Sequence, residues 1–253
     1  MKILSIILIF IVALSCASEK PEGKTKAEVL FKEAKELMED ERFILATDKL
    51  NQLRNQYPYS YYATPAELML ADILYKQESY GDAMAAYIVF RDLHPKHEKI
   101  PYVVFKIAES YYNQLPDTFD RDLEMGVEAI KYYNELLLKY PDSIYVKDAK
   151  SKIERCKDMI RKKEKYIADF YFKTESFKAA KWRYLDILDN FSDPKLRSYA
   201  TRKAIETSYE LKQYDFCSEF AEKNKSDLVV QEDQKEALAI AGKCTRKVKR
   251  TKA

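Results

Sequence analysis

Ala46-Thr-Asp-Lys-Leu50-Asn-Gln-Leu53-Arg-Asn-Gln-Tyr57-Pro58 sets a spacing that returns along the chain. An alanine stands twelve residues ahead of a proline three times: Ala46 before Pro58, Ala83 before Pro95 and Ala129 before Pro141. Eight residues ahead of it come Leu50, Tyr87 and Tyr133, and five ahead come Leu53, Phe90 and Leu136. Tyr57, His94 or Tyr140 directly precedes each proline. A fourth copy reads Ala180, Tyr184 and Ile187, with Phe191-Ser192 in place of the proline pair. Steps of four and three residues return to one face of a helix, and proline, which has no N–H to donate, ends it. Each copy is therefore a helix with a small-large-large inner face.

Ahead of each copy lies a second helix with its own recurring alanine: Ala34, Ala71, Ala108 and Ala168. In copies one, two and four this alanine sits 12 residues before the next. Small residues at fixed points are needed where two helices cross closely, and large ones fill the space beside them. The pairing resembles the tetratricopeptide repeat, a helix-turn-helix unit of about 34 residues. The expected fold is an all-α tetratricopeptide α-solenoid of about five helix pairs with a C-terminal capping helix. Four glycines and eight prolines among 253 residues suit an all-α chain. Helices are expected over 26–39, 43–56, 64–77, 80–93 and from Pro101, with Thr64-Pro65-Ala66-Glu67 opening the third through a capping box.

Two departures from the period carry information. Ala108 to Ala129 spans 21 residues, nine more than the other copies, so Leu115 to Leu123 reads as an inserted loop. Pro141 to Ala168 spans 27 residues where the earlier links have 13, and the excess contains no Gly or Pro. One long helix from about Ser143 to Lys173 is expected, its excess about four turns or about 21 Å. A degenerate fifth pair follows over 195–211 and 214–223, then a capping helix from Val229 to about Lys243, with the basic end of the chain frayed. Cys217 takes the small-residue position of the fifth pair and Cys244 ends the capping helix. A Cys217–Cys244 bridge and two buried thiols are both compatible with that placement.

At the N-terminus, Lys2 and the apolar run Ile3 to Leu14 lead into Ala13-Leu14-Ser15-Cys16. This is a secretory signal, too short to span a bilayer as a mature helix. Its end resembles the bacterial lipobox, which implies lipidation of Cys16 and removal of the segment before it. The expected division is a signal peptide 1–15, a lipidated linker 16–26, repeats one to three over 27–142, the long helix with repeats four and five and the cap over 143–247, and a basic tail 248–253. Lys plus Arg number 44 against 41 Asp plus Glu, so no strong field points to nucleic acid.

The two histidines, His94 and His97, flank Pro95 in a turn, where a metal pair would lack a third ligand. No nucleophile triad, Gly-rich phosphate loop or paired-carboxylate signature stands out, so no catalytic residue, metal, cofactor or small-molecule substrate is expected. Around the recurring alanines of the first helices stand Phe31, Leu68 and Phe105, then Met38, Tyr75 and Tyr112. In a tetratricopeptide stack these rows either fill the core or line a groove for an extended peptide, and Tyr57 in the first link is a further wall candidate. Trp182 and Arg183, side by side, have the composition of an interface anchor.

Together these residues resemble the BamD family of outer-membrane assembly lipoproteins over about 16–226. The motifs that carry the resemblance are Tyr57-Pro-Tyr-Ser60, His94-Pro-Lys-His97, Tyr140-Pro-Asp-Ser-Ile-Tyr145 and Tyr166-x-x-x-x-Tyr171-x-x-x-x-Ser176-Phe177-x-Ala179-Ala180. The resemblance implies a non-catalytic periplasmic scaffold, lipid-anchored at the outer membrane, with Ala17 after the lipid cysteine directing that sorting. It implies docking on the POTRA domains of BamA and recruitment of unfolded β-barrel precursors. It places a POTRA-contacting arginine at Arg183. The competing reading is another envelope tetratricopeptide lipoprotein, such as a pilotin that escorts a secretin.

Overall fold

The computed structural model describes residues 23–251, and among these the regular elements are eleven α-helices and one short 3-10 turn. The signal peptide, Cys16, Ala17 and the last two residues lie outside the described residues. The chain divides into two compact units, Met1–Asn113 and Gln114–Ala253. The expected division at 142–143 follows the repeat count, whereas this one falls at the insertion within the third pair.

In the first unit α1 is Lys26–Glu39, α2 Phe43–Gln56, α3 Ala63–Lys76, α4 Tyr80–Leu93 and α5 Ile100–Tyr112. In the second α6 is Glu124–Lys139, α7 Val146–Lys173, α8 Phe177–Asn190, α9 Pro194–Glu210, α10 Tyr214–Lys223 and α11 Gln231–Thr251. Within each unit, neighbouring helices pack on one another as helix-turn-helix hairpins of the tetratricopeptide type, and the repeat register accounts for their core. Ala34, Ala46, Ala71, Ala83, Ala108, Ala129, Ala168 and Ala180 are all fully buried, as are Leu50, Leu53, Tyr133 and Leu136. A larger side chain at such a crossing costs about 1–3 kcal/mol, because close-packed neighbours must shift. Gly126 on α6 leaves room for the inserted loop, since a Cβ there would stand 3.0 Å from the end of the Leu115 side chain.

The two kinds of turn differ chemically. Between repeats, a pair of backbone bonds recurs: Ser60 N–H to the Tyr57 carbonyl and Ala63 N–H to that of Ser60, then the same ladder at His94–Ile100 and Tyr140–Val146. Within repeats, the first helix ends on a residue in the left-handed region: Glu41, Glu78, Glu175 and Lys212, with φ of 57 to 60°. Arg42, Ser79, Ser176 and Gln213 then donate back to the carbonyls of Leu37, Leu74, Tyr171 and Ser208, closing Schellman turns. Glycine is the easiest occupant of that backbone conformation, and none of the four turns has one.

Three expectations are corrected. The third helix opens at Ala63, with Tyr62 as its cap and no side-chain capping bond, so Thr64 lies inside the first turn rather than ahead of it. The Pro58 link delivers the chain already wound, and Glu67 turns away to His94 and Arg54 instead of closing a box. The long helix begins at Val146, because the link turn consumes Ser143–Tyr145. The last helix does not fray after Lys243 but continues to Thr251. No Gly or Pro follows Gly242 to stop it, and a Cys217–Cys244 disulfide fastens it to α10. Arg202 adds ion pairs to Asp233 at 2.7 Å and Glu236 at 3.0 Å. Cys156 stays a buried thiol, pushed up to about 11 by its apolar surroundings.

Each unit also holds a polar clamp. Asp72 on α3 accepts from the hydroxyls of Tyr87 on α4 and Tyr102 on α5, both at 2.6 Å. Asp169 on α7 accepts from Tyr184 on α8 at 2.8 Å and Tyr199 on α9 at 2.7 Å. In both, the tyrosines follow the aspartate by 15 and 30 residues. One carboxylate thus joins three successive helices and satisfies hydroxyls that burial would otherwise strand, at about 1–3 kcal/mol each.

Candidate functional site

On α8, Ala180, Tyr184 and Ile187 face inward and are buried. Trp182 and Arg183 follow Ala180 by two and three residues, and 100° per residue carries them off that face. Trp182 is 60% exposed. The Arg183 guanidinium lies 5.0 Å from its ring centre, within cation–π range. Arg183 Nη1 stands 3.6 Å from Glu164 Oε2 on α7. That is an ion pair longer than a hydrogen bond, so it orients the fork while leaving donors for a second carboxylate. The pair forms an aromatic surface with an oriented cation over its ring, on a helix whose buried face is held by the Asp169 clamp. Sequence reading missed Glu164, which lies nineteen residues upstream on another helix.

The first unit separates the groove candidates. Leu68 and Phe105 are buried, at 9% and 7% exposure, and belong to the core. Phe31 is half-buried, with its ring 5.4 Å from that of Tyr62. Tyr57 is half-buried in the first link, its carbonyl accepting from Ser60. Tyr112 is half-buried on α5. Tyr75 sits in a polar group: Asn113 Nδ2 donates to its hydroxyl at 2.7 Å, and Lys106 Nζ lies 3.6 Å above its ring. Burial first, then the neighbouring Glu109 carboxylate, raise the Tyr75 phenol well above its ordinary value, so it remains a neutral donor and acceptor.

The tyrosine-rich link splits between inside and outside. Tyr62 packs inward on Phe31, whereas Tyr59 and Tyr61 are 101% and 85% exposed. Tyr61, Pro65, Leu93 and Pro95, with Lys96 and His97, border an open cleft of about 570 Å³ between the first two link turns. Two bare tyrosines in one six-residue link were the available signal for this cleft. His94 spends its Nε2 on Glu67 at 2.8 Å and His97 accepts from Lys99 N–H at 3.1 Å. Among the described residues, no group of three or more His, Cys, Asp or Glu is placed to hold a metal ion.

A family model described as "YfiO: Outer membrane lipoprotein" matches residues 23–226. The chain is similar to the outer membrane protein assembly factor BamD of Vibrio cholerae, 28% identical over 190 residues, covering 72% of this chain and 77% of that protein. It is 27% identical to BamD of Rickettsia prowazekii over 213 residues, covering 83% and 82%. With BamD of Neisseria gonorrhoeae the identity is 29% over 175 residues, covering 66% of each chain. The family match ends ahead of α11.

Proposed function

Because the chain belongs to the YfiO (BamD) family of outer membrane lipoproteins, we propose that it is a non-catalytic scaffold of the β-barrel assembly machinery, anchored through Cys16 at the periplasmic face of the outer membrane. Its second unit docks on the POTRA domains of BamA through Trp182 and Arg183. Its first unit receives unfolded β-barrel precursors along the accessible aromatics Phe31, Tyr57, Tyr75 and Tyr112. Several acyl chains on one cysteine supply stable membrane attachment, since a single chain binds only reversibly.

The observation that carries the docking reading is the exposed Trp182 with the Arg183 guanidinium held over its ring. Exposed tryptophan gives a large contact at low entropic cost, and a pre-oriented guanidinium meets a partner carboxylate as a fork. Truncating one partner of a desolvated charge pair costs about 2–5 kcal/mol of binding, or at least about thirtyfold in affinity. Arg183→Glu should therefore abolish capture of purified BamA POTRA domains while the melting temperature stays unchanged. An acidic-to-basic swap on the last POTRA domain should restore it. Undiminished capture by Arg183→Glu removes the pair from the interface.

A further inference from the structure

We propose that the C-terminal half of α11 is a peripheral membrane contact that rests on anionic phospholipid headgroups. The family match stops at residue 226, so this helix lies outside the part of the chain shared with the family. The inference thus goes beyond BamA docking and has only the membrane tether in common with it.

The helix carries its charge in two halves. Glu232, Asp233 and Glu236 occupy its beginning, where Arg202 holds both Asp233 and Glu236. After Glu236 the chain contains no acidic residue to its end. Lys243, Arg246, Lys247 and Arg250 recur at intervals of three, one and three, which brings them to one helix face. All four are exposed, as is Lys249. Lys247 is engaged by other groups of the fold, whereas Lys243, Arg246, Lys249 and Arg250 make no ion pair among the described residues. The opposite side holds Ala237 and Cys244, both fully buried, and the disulfide fixes that side onto α10. The basic stripe is therefore fixed outward and cannot rotate inward.

A planar array of cations with no intervening acids and no deep apolar residue fits a charged surface better than a pocket. The membrane tether expected at Cys16 keeps the chain beside a phospholipid leaflet, which raises the effective concentration of that surface. Juxtamembrane Lys and Arg each contribute roughly a fivefold gain in binding to an anionic leaflet, an attraction confined to about a Debye length. The contact is electrostatic, without insertion, and is screened by salt.

The test uses the mature chain without its acyl groups, residues 17–253, in flotation with phosphatidylcholine vesicles with and without phosphatidylglycerol. The unmodified chain should float only with phosphatidylglycerol and should detach near about 1 M salt, where the Debye length is about 3 Å. Neutralising Lys243, Arg246, Lys249 and Arg250 to Gln should weaken flotation at least about tenfold without changing the melting temperature. A control that neutralises the exposed Lys147, Lys150, Lys173 and Lys178 to Gln removes the same net charge and should leave flotation intact. Equal losses in both variants, no flotation of the unmodified chain, or loss of POTRA capture with flotation preserved would each overturn the proposal. Arg183→Glu should float normally, which keeps this contact separable from docking.

Discussion

Asp72 in the first unit and Asp169 in the second each gather two tyrosine hydroxyls at nearly the same distances, yet their acidities move in opposite directions. Burial pushes the Asp72 carboxyl above its ordinary value of 3.8, more than its two tyrosine donors pull it down. Burial acts on Asp169 too, but hydrogen bonds from Lys165, Tyr199 and Tyr184 together outweigh it and hold that carboxyl below 3.8. One difference lies a helical turn before each aspartate, beside the burial that is the largest influence on both. Lys165 Nζ reaches Asp169 at 2.7 Å, and the corresponding position before Asp72 is the buried Leu68. The first unit fills that position with core, and the charges of Lys106 and Lys76 do not offset the burial of Asp72; the second sets a lysine directly on its carboxylate. Similar clamps thus sit in different electrostatic settings, and only the second unit, among the described residues, adds a disulfide.

The largest way to break the contrast is to cut the bridge. Cys217 and Cys244 enclose a separation of 27 residues, and in the chain-entropy account such a loop stabilises by about 3.5 kcal/mol. Cys244→Ser should accelerate hydrogen exchange across α10 and α11 by that amount and leave α1 to α4 untouched. Equal acceleration in both units would mean that they unfold as one body.

Next come the aspartates. Asp169→Asn removes a charged acceptor from Lys165 and two phenols, at about 2 kcal/mol, whereas Asp72→Asn replaces a carboxylate that burial already disfavours and should cost about 1 kcal/mol or less. The acid response has opposite signs. The raised Asp72 carboxyl binds more protons folded than unfolded, so its contribution is complete below 3.8 and is lost as pH rises through the folded value. The lowered Asp169 carboxyl contributes above 3.8, and that stability is lost as pH falls through its folded value. Lys165→Leu, which copies the first unit, should move Asp169 upward and reverse its sign. Denaturant melts read the two asparagine variants, carboxyl titrations by NMR read the unmodified chain and Lys165→Leu, and an unmoved Asp169 in Lys165→Leu would mean that the lysine does not set the difference.

The smallest effects concern the four left-handed turns. Replacing Glu78 or Glu175 with glycine relieves the φ of 60° or 59° and should raise stability by about 0.5 kcal/mol, the gain being reduced by the freer unfolded chain. A loss of stability at both would show that the glutamate side chains themselves hold these turns.

How much of this was readable differs by kind of interaction. The helix pairs and their register were legible, because steric demand at Ala46, Ala83, Ala129 and Ala180 repeats with the helix period. The left-handed turns were hidden because glutamate and lysine hold positions where glycine would have announced them. The clamps were hidden because a carboxylate bonding 15 and 30 residues away leaves no local periodic trace. Spacing placed Cys217 and Cys244 near each other but could not choose between a bridge and two thiols. Arg183 and Trp182 were found as a pair, while the carboxylate that orients the arginine, Glu164, lies on the preceding helix. Leu68 and Phe105 show the converse limit: an apolar row on a repeat helix serves core and groove equally until burial is known.

The proposed division of labour between the units is tested most directly by measuring two affinities on two variants. Purified BamA POTRA domains probe the second unit, and a peptide of a β-barrel precursor's C-terminal strand, ending in an aromatic residue, probes the first. Arg183→Glu should weaken POTRA binding at least about thirtyfold with peptide binding unchanged. Tyr75→Ala should weaken peptide binding about tenfold with POTRA binding unchanged. Losses that track each other in both variants, or a Tyr75→Ala chain that binds the peptide as before, would contradict the assignment of docking to the second unit and reception to the first.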